Sequence, residues 1–176
     1  MGGAAFLVLL ILSSANPFKL DKPAKAKHVK MIVEYAEEHD HDPYELLAIA
    51  ITESSLNPKA VSWAGAIGLF QIMCKYWAVP LKYKTVKKCE KELLDPYKNM
   101  EAGVHVLNTY RNRYAQCKGS RAYRCYYAGP RWQRRTLKTK EKIARYEKKV
   151  LRKKKLLHKY YRGLIESIRS DFRARS

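Results

Sequence analysis

Residues 53–73 read ESSLNPKAVSWAGAIGLFQIM. A carboxylate, Glu53, closes an apolar helical run; Asn57-Pro58 marks a turn, and Gly65 and Gly68 mark a second one before a short apolar segment resumes. That layout wraps loop backbone around one acid. Upstream, Asp42 suits a helix cap, Pro43 suits the first helical position, and Glu45 completes a capping-box pattern ahead of Leu46, Leu47, Ala50 and Ile51. The helical period places Glu53 in the last turn, where the helix dipole disfavours negative charge. By itself such a residue is either a solvated helix-end Glu or a partly desolvated carboxyl whose pKa is raised.

Outward from this stretch the chain reads as all-α, mainly helical. Val29, Ile32, Val33 and Ala36 recur at helical spacing and predict a first core helix ending near His39 to His41. The run His39, Asp40, His41, Asp42 suggests capping and turn chemistry, because adjacent side chains rarely converge on one ion; no metal site is expected. Trp63 is either a stacking platform or a plug over the core. Leu69 to Trp77 predicts a helix stopped by Pro80, Lys82 to Lys91 a polar surface connection, and Asp95-Pro96 the start of another helix with Met100, Val104 and Leu107 inward. Ser120 is placed to cap a short helix carrying Tyr123, Tyr126 and Tyr127, terminated at Gly129-Pro130. Beyond Arg131, a near-heptad stripe of Ile143, Tyr146, Val150, Leu157, Tyr160, Leu164 and Ile168 predicts one long amphipathic helix or two shorter ones, with Gly163 interrupting the run.

The 176 residues suffice for one ordinary domain, and 47% apolar content supports a core. The charge is unusual: 36 Lys and Arg against 16 Asp and Glu give +20, which predicts adsorption to polyanions. Arg131 to Ser176 holds 18 of the basic residues and four of the acids, so most of that affinity is expected at the C-terminal end. Ala4 to Leu12 is an uninterrupted apolar run followed by Ser13, Ser14 and Ala15, which reads as a signal peptide over 1–15 and is too short to span a bilayer. Export favours oxidation of the four cysteines, and pairing Cys74 with Cys89 and Cys117 with Cys125 closes the shortest loops; the competing reading is four buried thiols.

The order Glu53-Ser54, Asn57-Pro58, Ala60, Ser62, Gly65-Ala66, Gly68-Leu69, Gln71-Ile72-Met73 resembles the signature of the soluble lytic transglycosylases, which cleave bacterial peptidoglycan on a goose-lysozyme-like helical fold. Two further blocks are similar in the same order: Asn99-Met100 through Gly103 and Leu107, and Tyr126, Ala128, Gly129, Pro130. The final family helix finds its counterpart in Tyr146 to Leu151. The resemblance implies a single lysozyme-like catalytic domain over 28–157, preceded by a polar basic linker over 16–27 and followed by a basic helical tail over 158–176. It also implies that Glu53 is the catalytic acid. Tyr126 would hydrogen-bond Glu53 or stabilise a charged intermediate, and Ser62 would orient the Glu or the substrate acetamide. Gln71, Met73 and Tyr127 would line the sugar groove, and Gly68 would permit close backbone approach. Three positions depart from the family pattern: Cys74 for Pro, Val106 for Tyr, and Tyr127 for Asn, the last bearing most on rate and subsite preference.

Glycosidic cleavage needs a proton for the leaving oxygen and stabilisation of an oxocarbenium-like centre. No other Asp or Glu lies between Glu53 and Glu90, so a one-acid mechanism is expected, without a metal or organic cofactor. In the family this chain resembles, the Glu protonates the bond between N-acetylmuramic acid and N-acetylglucosamine. It then assists attack by the muramyl 6-hydroxyl, giving a 1,6-anhydromuramyl end. The alternatives are a hydrolytic muramidase on the same fold and a basic wall- or nucleic-acid-binding protein with a degenerate lysozyme-like domain. Expected partners are peptidoglycan strands, and, through the basic tail, an anionic envelope polymer, a membrane surface or nucleic acid. The expected location is the periplasm or cell envelope, or a secretion apparatus or phage particle.

Overall fold

The computed structural model describes residues 17–20 and 22–176; the expected signal peptide lies outside the described residues. Among the described residues there are seven α-helices: α1 (Pro23–Glu38), α2 (Pro43–Ser54), α3 (Cys74–Trp77), α4 (Val86–Glu92), α5 (Pro96–Arg113), α6 (Arg121–Ala128) and α7 (Leu137–Arg173). Between α2 and α3 lies an antiparallel pair of two-residue strands, β1 (Ala66–Ile67) and β2 (Ile72–Met73), in the register Ala66 to Met73 and Ile67 to Ile72. Among the described residues no helix is long and apolar enough to cross a membrane.

The centre of the molecule is α2. Asp42 caps it by accepting from the backbone N–H of Tyr44 (2.9 Å) and Glu45 (3.3 Å), and Pro43 occupies the first turn. Every residue from Pro43 to Ile51 is buried. A helix apolar all round needs neighbours on all sides, and α1 and α7 supply much of that packing. Glu45 does not close a capping box: its carboxylate turns inward to Arg111 of α5 and the hydroxyl of Tyr123 of α6.

The helix α7 is one continuous rod of 37 residues, about 55 Å long. Gly163 does not interrupt it, and the expected boundary between 157 and 158 coincides with no break. Leu157, Tyr161 and Ile165, spaced by four, are buried, whereas Tyr160 of the expected stripe is 42% exposed. The last turns are tied to α1 by Arg169 and Arg173, both paired with Glu37, and just beyond them Arg175 pairs with Glu34. The stretch expected as a linker packs as well. Leu20 belongs to the core, the Phe18 N–H donates to the Tyr161 hydroxyl (3.1 Å), and α1 starts at Pro23.

Two expected elements differ. Leu69 to Trp77 is helical only from Cys74 onward, because it enters from Gly68 through a tight loop, with positive φ at Gly68 and Gln71, whose backbone groups are committed elsewhere. Lys82 to Lys91 is not all connection. The Thr85 hydroxyl accepts from the Lys88 N–H (3.0 Å) and starts α4, whose buried residue is Cys89. Ser120 precedes α6 as expected, but its side chain makes no capping bond. Both disulfides, Cys74–Cys89 and Cys117–Cys125, are formed, pinning α4 to the start of α3 and α6 to the turn before it.

Candidate active site

Glu53 stands in the last turn of α2, which ends in a left-handed Ser55. The Tyr146 hydroxyl, from α7, donates to Glu53 Oε1 (2.5 Å). One and two turns further along the same face of α7, Val150 packs in the core and Lys153 Nζ donates to the carbonyl of Ile51 (3.0 Å). That cation sits where the helix dipole is negative. Burial pushes the Glu53 carboxyl up to about 7, against the opposing effects of the Tyr146 hydrogen bond and the Lys153 charge. Lys153 in turn is pushed down to about 8 by burial and by the neighbouring charges of Lys149 and Arg152. A carboxyl with these properties holds a proton near neutrality and can deliver it.

The phenol on Glu53 is therefore Tyr146, not Tyr126. The Tyr126 hydroxyl donates to the carbonyl of Phe70 (2.8 Å), and burial followed by the Glu53 charge keeps that phenol well above the usual tyrosine range. Tyr127 is half exposed and stacks on Tyr146, with ring centroids 4.9 Å apart.

The loop over Glu53 is held by side chains from three helices. Asn99, fully buried on α5, accepts from the Phe70 N–H (2.8 Å) and donates to the carbonyls of Ile67 (2.8 Å) and Leu93 (2.9 Å). Ser54 Oγ donates to the Leu69 carbonyl (2.9 Å). Tyr126 completes the set on Phe70, so backbone groups that a tight loop would leave unpaired are satisfied. Gly68 does permit a close approach, but to Asn99: with φ +77°, a Cβ there would lie 2.2 Å from Asn99 Nδ2. Gly103 likewise makes room for the Phe70 ring, 2.5 Å from where a Cβ would be.

The remaining expected residues are gathered in this loop, mostly with structural bonds of their own. Ser62 Oγ accepts from the Ala66 N–H (3.0 Å) and closes a turn. Gln71 Nε2 donates to the carbonyls of Ala60 (3.1 Å) and Gly68 (3.0 Å). Met73 is half-buried on β2, next to the disulfide. Trp63 is fully exposed, so it does not plug the core. Among the described residues no group of three His, Cys, Asp or Glu is arranged to hold a metal ion, and the His39 ring packs on Tyr35.

Three contributors escaped the sequence reading in this role. Tyr146 was visible as one member of an apolar stripe and as the start of the family-helix counterpart, without a role at Glu53, and Lys153 as one of many lysines. The Glu45, Arg111 and Tyr123 cluster brings together side chains from three helices with no local signal. Although burial alone would raise the Glu45 carboxyl, Arg111 and Tyr123 hold it below its ordinary value, so this buried acid stays charged and serves as a helix clamp.

Comparison with known proteins identifies the family and the fold. The family model described as the transglycosylase SLT domain matches residues 30–149. Membrane-bound lytic murein transglycosylase C of Yersinia enterocolitica is 35% identical over 102 residues, 56% of this chain and 28% of the relative. The protein of the same name from Edwardsiella ictaluri is 37% identical over 101 residues, with the same shares. The chain thus spans little more than a quarter of the length of the curated relatives it matches. Among solved structures, the 70 kDa soluble lytic transglycosylase Slt70 of Escherichia coli superposes with a TM-score of 0.55 at 19% identity, covering 88% of this chain and 32% of that one.

Proposed function

The chain belongs to the transglycosylase SLT domain family, and from that premise we propose that it is a peptidoglycan lytic transglycosylase. It cleaves the β-1,4 bond between N-acetylmuramic acid and N-acetylglucosamine. The observation that carries this reading is Glu53, a carboxyl raised to about 7 by burial and hydrogen-bonded by Tyr146. Glu53 protonates the glycosidic oxygen and, once charged, accepts the proton of the muramyl 6-hydroxyl as that oxygen closes on the anomeric carbon. The products are a 1,6-anhydromuramyl end and a free N-acetylglucosamine end. No water is consumed. The hydrogen bond from Tyr146 orients the carboxyl and stabilises its charged form between the two proton transfers.

The supporting residues divide by what they touch. Tyr126, Ser62, Gly68 and Gln71 shape and stiffen the loop that walls the groove. Met73, the outer face of Tyr127 and the exposed Trp63 remain free to meet sugar rings. Packing of residues 18–20 and 157–165 into one core supports a single catalytic unit over the described chain. The work is placed in the cell envelope, consistent with relatives named as membrane-bound murein enzymes and with the oxidised cysteines.

The decisive measurement is mass spectrometry of purified murein digested by wild-type and Glu53→Gln protein. Anhydromuramyl ends from the wild type, with a loss of at least about a thousandfold in the variant, are the expected result. Reducing muramic ends would instead identify a muramidase, and unchanged digestion by Glu53→Gln would remove the assignment of the acid.

A further inference from the structure

One face of α7 serves neither the core nor the groove. Arg145, Lys149, Arg152, Lys155, Lys159 and Arg162 recur every three or four residues, which aligns them on a single ridge about 26 Å long. All six are exposed. From Lys148 to Ile165 the chain contains no Asp or Glu. Of the other cations of this helix, Lys154 pairs with Asp42, Arg169 and Arg173 pair with Glu37, and Lys153 is bonded to the Ile51 carbonyl, whereas Lys138, Lys140, Lys142 and Lys148 share with the ridge the lack of an ion-pair partner among the described residues. Among the described residues, the ridge cations have no ion-pair partner. Solvated helix faces ordinarily mix the two signs, and like charges three or four apart destabilise a helix. A face of one sign is what an anionic partner would select.

The shape narrows the partner. The ridge is convex, with no walls to enclose a strand, and aromatic platforms for stacking bases do not alternate along it. A convex rod meets a plane along its whole length. The apolar face of α7 is already buried against the body, so the helix cannot insert, and contact must rest on charge. Exposed Leu151 and Tyr160 flank the ridge on its two sides. Tyr146 and Lys153 lie about a third of a turn round the helix from the mean line of the ridge, so a surface on the ridge does not cover the end of α2 that carries Glu53.

We propose that this ridge docks the protein electrostatically on an anionic phospholipid bilayer, without insertion. The expectation that the C-terminal tail would carry the polyanion affinity is thereby relocated, since the cations of the last turns are tied to α1. The proposal does not rest on the reaction at Glu53.

The test is co-sedimentation with vesicles of phosphatidylcholine alone and of phosphatidylcholine with increasing phosphatidylglycerol. The ridge variant carries Lys149→Glu, Arg152→Glu and Lys155→Glu. A control variant carries Lys84→Glu, Lys87→Glu and Lys88→Glu, an equal charge change at exposed positions around α4. Both are checked for folding by circular dichroism. Wild-type protein should bind only the anionic vesicles and be released by salt. The ridge variant should bind about a hundredfold more weakly while the control stays within about threefold. Equal loss in both variants, or binding indifferent to phosphatidylglycerol, would overturn the proposal. So would preferential release from vesicles by soluble polyphosphate at matched phosphate concentration, which would identify a strand-binding surface instead.

Discussion

At the scale of the residue, the chemistry depends on how one carboxyl is balanced. The folded Glu53 titrates about 7 against an ordinary 4.5, so the folded state carries a cost for ionising it. That cost is absent below the unfolded value, grows between the two, and is complete above the folded value. Glu53→Gln should therefore raise stability by on the order of 2 kcal/mol above neutrality and leave it nearly unchanged in mild acid, read from urea unfolding across pH. Tyr146→Phe removes a hydrogen bond that favours the charged carboxylate, and Lys153→Met removes a favourable positive charge. Each should move the alkaline limb of the pH–rate profile upward, because the acid form then persists to higher pH. Tyr146→Phe should also slow turnover by roughly tenfold to a hundredfold, since the carboxyl loses its orientation. A role confined to packing would lower the melting temperature and leave the limb where it was.

At the scale of the element, the decisive object is the tight loop between β1 and β2, and its conformation is dictated from α5. Asn99 meets three backbone groups in the interior, so Asn99→Ala leaves a donor and two acceptors without their partner. A loss of about 3 kcal/mol or more is expected in chemical denaturation. Gly68→Ala combines a positive φ with a clash on Asn99 and should cost about 2–3 kcal/mol. The same contacts explain why Leu69 to Phe70 is not helical despite its apolar character. Helical bonding there would have to displace Asn99, Ser54 and Tyr126 from the backbone groups they satisfy.

At the scale of the whole molecule, α7 joins site, core and surface. Its inner face presents Tyr146 and Lys153 to the end of α2, its C-terminal half buries Leu157, Tyr161 and Ile165, and its outer face carries the cationic ridge. Deletion of residues 158–176 should therefore cost about 4 kcal/mol or more, because it removes two large buried side chains and the arginine ties to α1. An independent solvated tail would leave the thermal midpoint unchanged after the same deletion. The comparison of the truncated and full-length proteins by thermal unfolding separates the two.

The sequence by itself determined the helices that carry strong local signals: Asp42-Pro43 and Asp95-Pro96 begin helices because cap and proline chemistry is local, and apolar spacing follows from the helical period. It also pointed to one candidate acid, through the ordered residues from Glu53 to Met73, and favoured the disulfide pairing that closes the shortest loops, which the structure forms. Only the tertiary structure decided which phenol reaches Glu53, since residues 126 and 146 are equally tyrosine and their placement depends on how α6 and α7 cross α2. It alone decided that Glu45 clamps helices, that Gly68 makes room for Asn99, and that the cations after Leu157 divide into paired and unpaired sets. Each of these is an encounter between residues distant in the chain, and side-chain spacing along one helix contains no information about what another helix brings to meet it.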